Sequence, residues 1–356
     1  MRHKHGGDVY SVPGMLDFSA NINPLGMPKA VKEVAIKGIE QAVSYPEVSS
    51  KHLRKQLSEY YNINPEYVIC GNGAAEIIFF ICLASQPKKA LLLAPSFAEY
   101  EISLRNVGCE IIYYDLKEEN DFKLKTDYIT CLRDDLDILF LCNPNNPTGQ
   151  MISKEFLLEV IKVCKEKQIR VVIDECFIDF SDELEKQSLR DEFVNYDNLV
   201  IINAFTKLYA MPGLRLGYAL SSDEVLCHKM QQLLQPWNVS VPAQLAGIAA
   251  LKEKEYVMNT REMLRKEKEY LLDYFLNKNE SVRSKEGCSI DKVYGHEANY
   301  IFFRSDINLY DNLYARGIQI RDCSNYRGLE NGYYRIAVRN RLENQRLIEA
   351  MFDIGG

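Results

Sequence analysis

Five stretches of this sequence place reactive side chains directly after, or close behind, short apolar runs. Arg170–Ile173 is followed at once by Asp174 and Glu175, and Leu199–Asn203 by Ala204, Phe205, Thr206 and Lys207. Arg215 stands eight residues beyond that lysine, in Met211-Pro-Gly-Leu-Arg-Leu-Gly-Tyr218. After Cys142 comes Asn143-Pro-Asn-Asn-Pro-Thr-Gly149, with three side-chain amides where a turn alone needs none, and after Cys70 comes Gly71-Asn-Gly-Ala-Ala-Glu76. An acid emerging from a buried strand is costly unless a cation or hydrogen-bond donor meets it. Glycines opening a helix expose backbone N–H groups at its positive end, which makes an anion cradle, although the same glycines also suit a plain turn. Taken together, the acid, lysine, arginine, amide and cradle are the equipment for a phosphorylated aromatic aldehyde held as a Schiff base. The acid meets a ring nitrogen, the lysine the aldehyde, and the arginine and helix start the phosphate.

These groups work together only if one scaffold delivers them to one place. Short apolar runs alternate here with longer amphipathic ones, from Tyr67–Cys70 and helix Ala74–Ser85 through to strand Gly217–Ser221. That alternation predicts an α/β fold with a mostly parallel sheet covered by helices on both faces, whose ligands gather at the carboxyl ends of the strands. Helices are expected at Lys29–Ala42 and Ser50–Tyr61, the second capped by Ser49 or Ser50. Pro242–Lys278 reads as one long helical stretch. Asn299–Phe303, Gly317–Arg321 and Tyr333–Val338 then read as strands and Leu342–Phe352 as a closing helix. The expected organisation is an N-terminal arm (1–27), a large domain (28–240) and a smaller C-terminal α/β domain (241–356) led by the long helix.

The 356 residues give a prior of about two domains. Against 43 lysines and arginines stand 50 aspartates and glutamates, a net charge of -7, so no global basic field favours nucleic acid or anionic lipid. No apolar stretch approaches the roughly 18 residues that cross a bilayer, and the polar start lacks a secretory signal, so a cytoplasmic protein is expected. Ten cysteines lie scattered without a C-x-x-C pair, as buried thiols do, and no metal site is expected. His3 and His5 lack an accompanying carboxylate cluster.

The motifs Asn143-Pro-Asn-Asn-Pro-Thr-Gly149, Asp174-Glu175 and Thr206-Lys207 with Arg215, at their mutual spacing, resemble the fold-type I pyridoxal-phosphate aminotransferase superfamily over essentially the whole chain. The resemblance implies a large domain with a seven-stranded, mostly parallel sheet and a smaller C-terminal domain. It implies pyridoxal 5'-phosphate as cofactor, bonded to Lys207, with Asp174 on the pyridine nitrogen and Asn146 on the ring hydroxyl. Gly73, Ala74, Ala75, Thr206 and Arg215 would hold the cofactor phosphate, and Phe97 would stack on the ring. Tyr45, in Ser44-Tyr-Pro46, is similar to the tyrosine that crosses to the neighbouring active site, implying a homodimer.

Two branches of the superfamily compete, the histidinol-phosphate aminotransferases and the L-threonine-O-3-phosphate decarboxylases of cobalamin biosynthesis. The opening His5-Gly-Gly7, the run Leu16-Asp-Phe-Ser-Ala-Asn-Ile-Asn-Pro-Leu-Gly26, Phe177 in place of a tyrosine, and the tail Tyr333-Tyr-Arg-Ile-Ala-Val-Arg339 resemble the decarboxylases. That likeness implies a small phosphorylated amino acid as substrate, bound by His5, Asn23, Arg321 on the phosphate, Arg335 on the carboxylate, and Arg339. On a strand Arg335 and Arg339 would share a face, and a pair of surface salt bridges is the lesser alternative for them. A catalytically silent regulator on the same fold would need a lost lysine or an added DNA-binding module, and the chain has neither.

Overall fold

In the computed structural model, which describes residues 5–11, 13–276 and 290–352, the apolar runs that precede the reactive residues do form strands. The chain opens with β1 (Leu16–Asp17), α1 (Lys29–Glu40) and α2 (Lys51–Tyr61). It then alternates through β2 (Val68–Gly71), α3 (Ala74–Ser85), β3 (Lys89–Ala94), α4 (Ala98–Asn106), β4 (Glu110–Asp115), β5 (Ile138–Cys142), α5 (Lys154–Glu166), β6 (Arg170–Asp174), the single turn α6 (Leu184–Gln187), β7 (Leu199–Ala204) and β8 (Gly217–Ser221). Seven strands make one sheet in the order β2-β8-β7-β6-β5-β3-β4, in which β8 alone runs antiparallel to its neighbours. Successive residues of the inner strands face opposite sides. Val171 and Ile173 of β6 thus join one core with Leu199 and Ile201, while Val172 joins another with Val200 and Ile202.

Beyond the sheet come α7 (Glu224–Leu233), α8 (Val241–Ala250) and α9 (Lys254–Leu276). The expected continuous helix is interrupted between Ala250 and Lys254, where Lys252 and Glu253 close short turns onto Ala249 and Ala250. Two close approaches hold α8 against α1 and against the segment leading into β8. A Cβ on Gly38 of α1 would come within 2.7 Å of Pro242, and one on Gly247 within 2.5 Å of Leu216. Lys278, the end of the expected helix, lies outside the described residues.

The C-terminal unit is an antiparallel sheet, β12-β13-β10-β9, made from β9 (Ile290–Gly295), β10 (Tyr300–Ser305), β12 (Arg321–Asp322) and β13 (Tyr333–Ala337), with α10 (Leu309–Ala315) and α11 (Arg341–Phe352). The run expected as one strand, Gly317–Arg321, serves two sheets: β11 (Ile318–Gln319) pairs in parallel with β1, and β12 pairs with β13. The N-terminal arm is therefore stitched to the C-terminal unit, with Phe18 donating to Gln319 and accepting from Ala337. Ser50 does not cap α2 with its side chain, because it sits in the left-handed region at φ 49°. Glu47 takes that role, accepting from the His52 amide at 2.8 Å.

Candidate active site

β6 ends in two adjacent carboxylates that its pleat sends to opposite faces. Asp174 turns towards α4, where Tyr100 Oη donates to its Oδ2 at 2.7 Å and the Cys176 amide donates to its Oδ1 at 3.0 Å. Tyr100 is fully buried, stacked on Phe140 at 5.1 Å and edge-on to Phe97 at 5.6 Å. Burial and the neighbouring Asp174 charge hold its hydroxyl protonated, well above the ordinary tyrosine range, so it acts as a fixed donor. Tyr100 is a site residue that sequence alone does not mark, because its partner Asp174 is 74 residues away.

Glu175 faces the other core and is fully buried. It accepts from Ser188 Oγ and the Leu189 amide and pairs with Arg190 at 3.0 Å. Arg190 in turn grips Asp179 with two nitrogens, at 2.7 and 3.0 Å. Burial raises the Glu175 carboxyl, the Arg190 charge opposing it, and the whole group braces the loop after β6. Asn203 of β7 extends the brace towards the lysine by donating to the Glu175 carbonyl and to Asp179.

β7 delivers Thr206 and Lys207. Burial, then the nearby Arg335, lower the lysine to about 8, so a substantial part of it is a neutral amine near physiological pH. Its Nζ stands 5.9 Å from the centre of the Phe177 ring. The N-terminus of α3 supplies the amides of Ala74 and Ala75, and Arg215 reaches it from the loop before β8, donating towards the carbonyls of Pro212 and Asn72. Gly73 makes that approach possible. It has φ +89°, and a Cβ there would lie 2.5 Å from Arg215 Nη2. Glu76 turns back to accept from the Asn72 amide at 2.6 Å and from Asn238 at 2.8 Å, which fixes the loop ahead of the helix.

The amide-rich loop divides its labour. Asn143 and Asn145 are spent on the loop itself, bonding Ile152, Pro95 and Thr148. Asn146 is left to face the site, and its Oδ1 accepts from Arg335 Nη1 and from Tyr326 Oη. Arg335 and Arg321 are direct partners across the β12–β13 ladder, so their side chains share a face. They are only 5% and 7% exposed. Arg335 Nη2 donates to the Ser19 carbonyl at 2.9 Å, its Nε is buried without a hydrogen-bond partner, and among the described residues no carboxylate lies within ion-pair distance of it. Arg321 lies over the Tyr326 ring and donates to Asn325 at 2.8 Å. A cleft of about 1750 Å³ opens here, lined by Ser19, Ser96, Phe97, Arg321 and Tyr326. His5 also lines it, with Nε2 3.1 Å from Glu99 and its ring edge-on to Phe97.

Two expected substrate contacts are placed differently. Arg339 lies beyond the end of β13, so the alternation that would align it with Arg335 has ceased, and Glu343 holds its guanidinium at 2.8 and 3.1 Å. Asn23 is buried with its side-chain bonds directed elsewhere in the protein, to Leu208, Thr260 and Leu25. Tyr45 is 79% exposed and stacks on Trp237 at 4.5 Å. His3 and Cys288 lie outside the described residues, among which no group of metal ligands occurs and the cysteines are free thiols.

This geometry sets two expectations. Cofactor-free protein should take up pyridoxal phosphate at a rate that climbs with pH and levels off near 8, since only the neutral Lys207 amine attacks an aldehyde. An ordinary lysine would keep the rate climbing to about 10. Stopped-flow absorbance distinguishes the two, and Lys207→Ala should give no visible band at all. Gly73→Ala should displace Arg215 and weaken cofactor affinity by about 10- to 150-fold, the loss of one or two charge-assisted bonds, with little change in Tm. An unchanged dissociation constant by titration would remove Arg215 from the cradle.

Comparison with known proteins agrees with this architecture. The model of the family "Aminotransferase class I and II" matches residues 13–351. The threonine-phosphate decarboxylase of Salmonella typhimurium is 34% identical over 98% of this chain and 96% of its own length. A putative threonine-phosphate decarboxylase of Caldanaerobacter subterraneus is 36% identical over 98% and 93%. Among solved structures, the histidinol-phosphate aminotransferase of Clostridium acetobutylicum superposes with a TM-score of 0.86 at 34% identity, covering 95% of this chain and 98% of its own. The chain belongs to the class I and II aminotransferase family, and its cofactor is pyridoxal phosphate.

Proposed function

We propose that the protein is a pyridoxal-phosphate-dependent decarboxylase of L-threonine O-3-phosphate. It yields (R)-1-amino-2-propanol O-2-phosphate and carbon dioxide for cobalamin biosynthesis. The observation that carries this reading is the pair of buried guanidiniums, Arg321 and Arg335, opposite one another on neighbouring strands. Two like charges buried side by side call for anions, and a substrate with a carboxylate and a phosphate a few bonds apart supplies both. The two decarboxylase relatives support the same substrate class.

The residues present suit pyridoxal phosphate: a lysine with a lowered pKa, a buried carboxylate held between two donors, and an arginine seated in a glycine notch at a helix start. When bound, the cofactor supplies an electron sink for the bond that breaks at the substrate α-carbon. Asp174, its two oxygens fixed by Tyr100 and Cys176, would hold a proton on the ring nitrogen. Asn146 would meet the ring hydroxyl and Phe97 would cover the ring. Arg335 would orient the substrate carboxylate and Arg321 its phosphate. The α-carbon bond perpendicular to the ring is the one that breaks, so the residues orienting the carboxylate select the reaction. Lys207 would then return a proton to the α-carbon after carbon dioxide leaves.

The exposed Tyr45–Trp237 pair supports a homodimer in which Tyr45 crosses to the neighbouring site. No helix among the described residues is long and apolar enough to cross a membrane, and the acidic charge offers no field for nucleic acid. The cytoplasm, with its reduced thiols, is the proposed location. The identity to the Clostridium structure makes histidinol-phosphate transamination the second reading.

Incubation with L-threonine phosphate, and separately with histidinol phosphate plus 2-oxoglutarate, decides between them: carbon dioxide in the first is expected, and glutamate in the second overturns the proposal. Arg321→Ala should lower kcat/KM for threonine phosphate by about 10- to 150-fold with cofactor affinity unchanged, and Arg215→Ala should do the reverse. Loss of cofactor from the Arg321 variant, with normal turnover once resaturated, would move the phosphate site elsewhere.

A further inference from the structure

The N-terminal arm touches both ends of the chemistry within five residues. At one end, Asp17 Oδ1 accepts from the Ser19 amide at 2.7 Å and from Ser19 Oγ at 2.6 Å, tightening a turn that presents the Ser19 carbonyl to Arg335. Gly6 and Gly7 pack on this turn, and a Cβ on Gly6 would lie 2.5 Å from the Ser19 oxygen. At the other end, the Asn23 amide donates to the Lys207 carbonyl at 3.1 Å. The Asn23 side chain donates to the Leu208 carbonyl and to Thr260 Oγ1 of α9, both at 2.8 Å. Tyr256, one turn earlier on α9, donates to the carbonyls of Gly26 and Leu208 at 2.7 and 3.2 Å. Arm, lysine loop and α9 are thus knotted where Lys207 leaves its strand.

We propose that Ser19–Asn23 is a positioning element that fixes the carboxylate-orienting Arg335 relative to Lys207, and so favours loss of carbon dioxide over transfer of the amino group. The inference rests on the decarboxylase reading above. Decarboxylation breaks the bond from the α-carbon to the carboxylate, releases carbon dioxide and adds a proton to that carbon. Amino transfer instead removes the α-proton. That proton would end on the former aldehyde carbon together with the substrate nitrogen, water would supply the oxygen of the 2-oxo acid, and pyridoxamine phosphate would be the other product. The two outcomes share every binding contact and differ in which bond stands perpendicular to the ring. An arm that holds Arg335 by one carbonyl and Lys207 by one amide fixes that orientation without touching the substrate. Asn23 is on this account a positioning residue rather than a substrate ligand.

The test uses the holoenzyme with L-threonine phosphate and counts carbon dioxide against pyridoxamine phosphate formed. Asn23→Ala, which releases Thr260 and leaves the Leu208 carbonyl with Tyr256 alone, should raise the share of turnovers ending in amino transfer by about tenfold or more. Thr260→Val should move the ratio in the same direction, and Thr260→Ser, which keeps the hydroxyl, should restore it. A second readout needs no turnover. In cofactor-free Asn23→Ala, the pH midpoint for labelling Lys207 with an amine reagent should rise from about 8 towards the ordinary lysine value of about 10.4, because the lysine is no longer held in place. A merely structural role would lower Tm and leave ratio and midpoint unmoved, and that result overturns the proposal. If Asn23→Ala does not fold, equal ratios for Thr260→Val and Thr260→Ser overturn it. A wild-type protein that releases no carbon dioxide overturns the decarboxylase reading and this inference with it, whereas decarboxylation with unchanged variant ratios overturns this inference alone.

Discussion

The structure is arranged around a guanidinium buried without a carboxylate. Removing Arg335 from water costs several kcal/mol, and Coulombic attraction within the chain does not offset it, because its donors go to an amide oxygen and a peptide carbonyl. Neutral acceptors stabilise the charge only in part and leave Nε unpartnered. The face of the Tyr300 ring, 5.2 Å from the guanidinium carbon, adds a further neutral partner. The same charge reaches further than its own contacts. It holds Asn146 in the loop after β5, anchors the arm through Ser19, and contributes to lowering Lys207. One buried cation thus ties together the amide loop, the arm and the electrostatics of the lysine.

Charge of the other sign is handled by the pleat. Asp174 and Glu175 are neighbours in sequence, yet alternation assigns them to separate cores, where one is left facing the site between two donors and the other is neutralised by Arg190. The brace through Asn203 then connects the structural acid to the strand that carries the lysine. Rigidity behind the site comes from the pair that does no chemistry.

Much of this was legible from sequence wherever a local rule decides it. Apolar runs ending in Asp174, Lys207 and Cys142 identified the strands, because buried parallel strands are continuous hydrophobic segments, and the residues after them had to lie at one sheet edge. What escaped depends on non-local partners. Nothing local distinguishes Tyr100 from any other aromatic on a helix until Asp174 is seen beneath it. Asn23 was expected at the substrate through the resemblance, but its side-chain amide donates to segments 185 and 237 residues away. Arg339 failed for a local reason: β13 ends at Ala337, and period-two reasoning does not survive the end of a strand. The split of Gly317–Arg321 between two sheets followed from where β1 docks, which no window of the sequence contains.

That split also explains how a small substrate can be held by two units. Lys207, Asp174 and the cradle belong to the seven-stranded sheet, whereas Arg321 and Arg335 belong to the antiparallel one, so neither sheet alone presents a complete site. The cleft of about 1750 Å³ is lined by residues of both units, Ser96 and Phe97 from the larger one and Arg321 and Tyr326 from the smaller, whereas Lys207 and Arg335 lie outside its lining. The arm crosses the same boundary, paired with β11 at Leu16 and tied to the lysine loop at Asn23. It is one of several links across that boundary, beside the Tyr300 hydroxyl donating to the Asn145 carbonyl and the Gln150 side chain donating to the Tyr294 carbonyl, and it is the one that ends on the lysine loop.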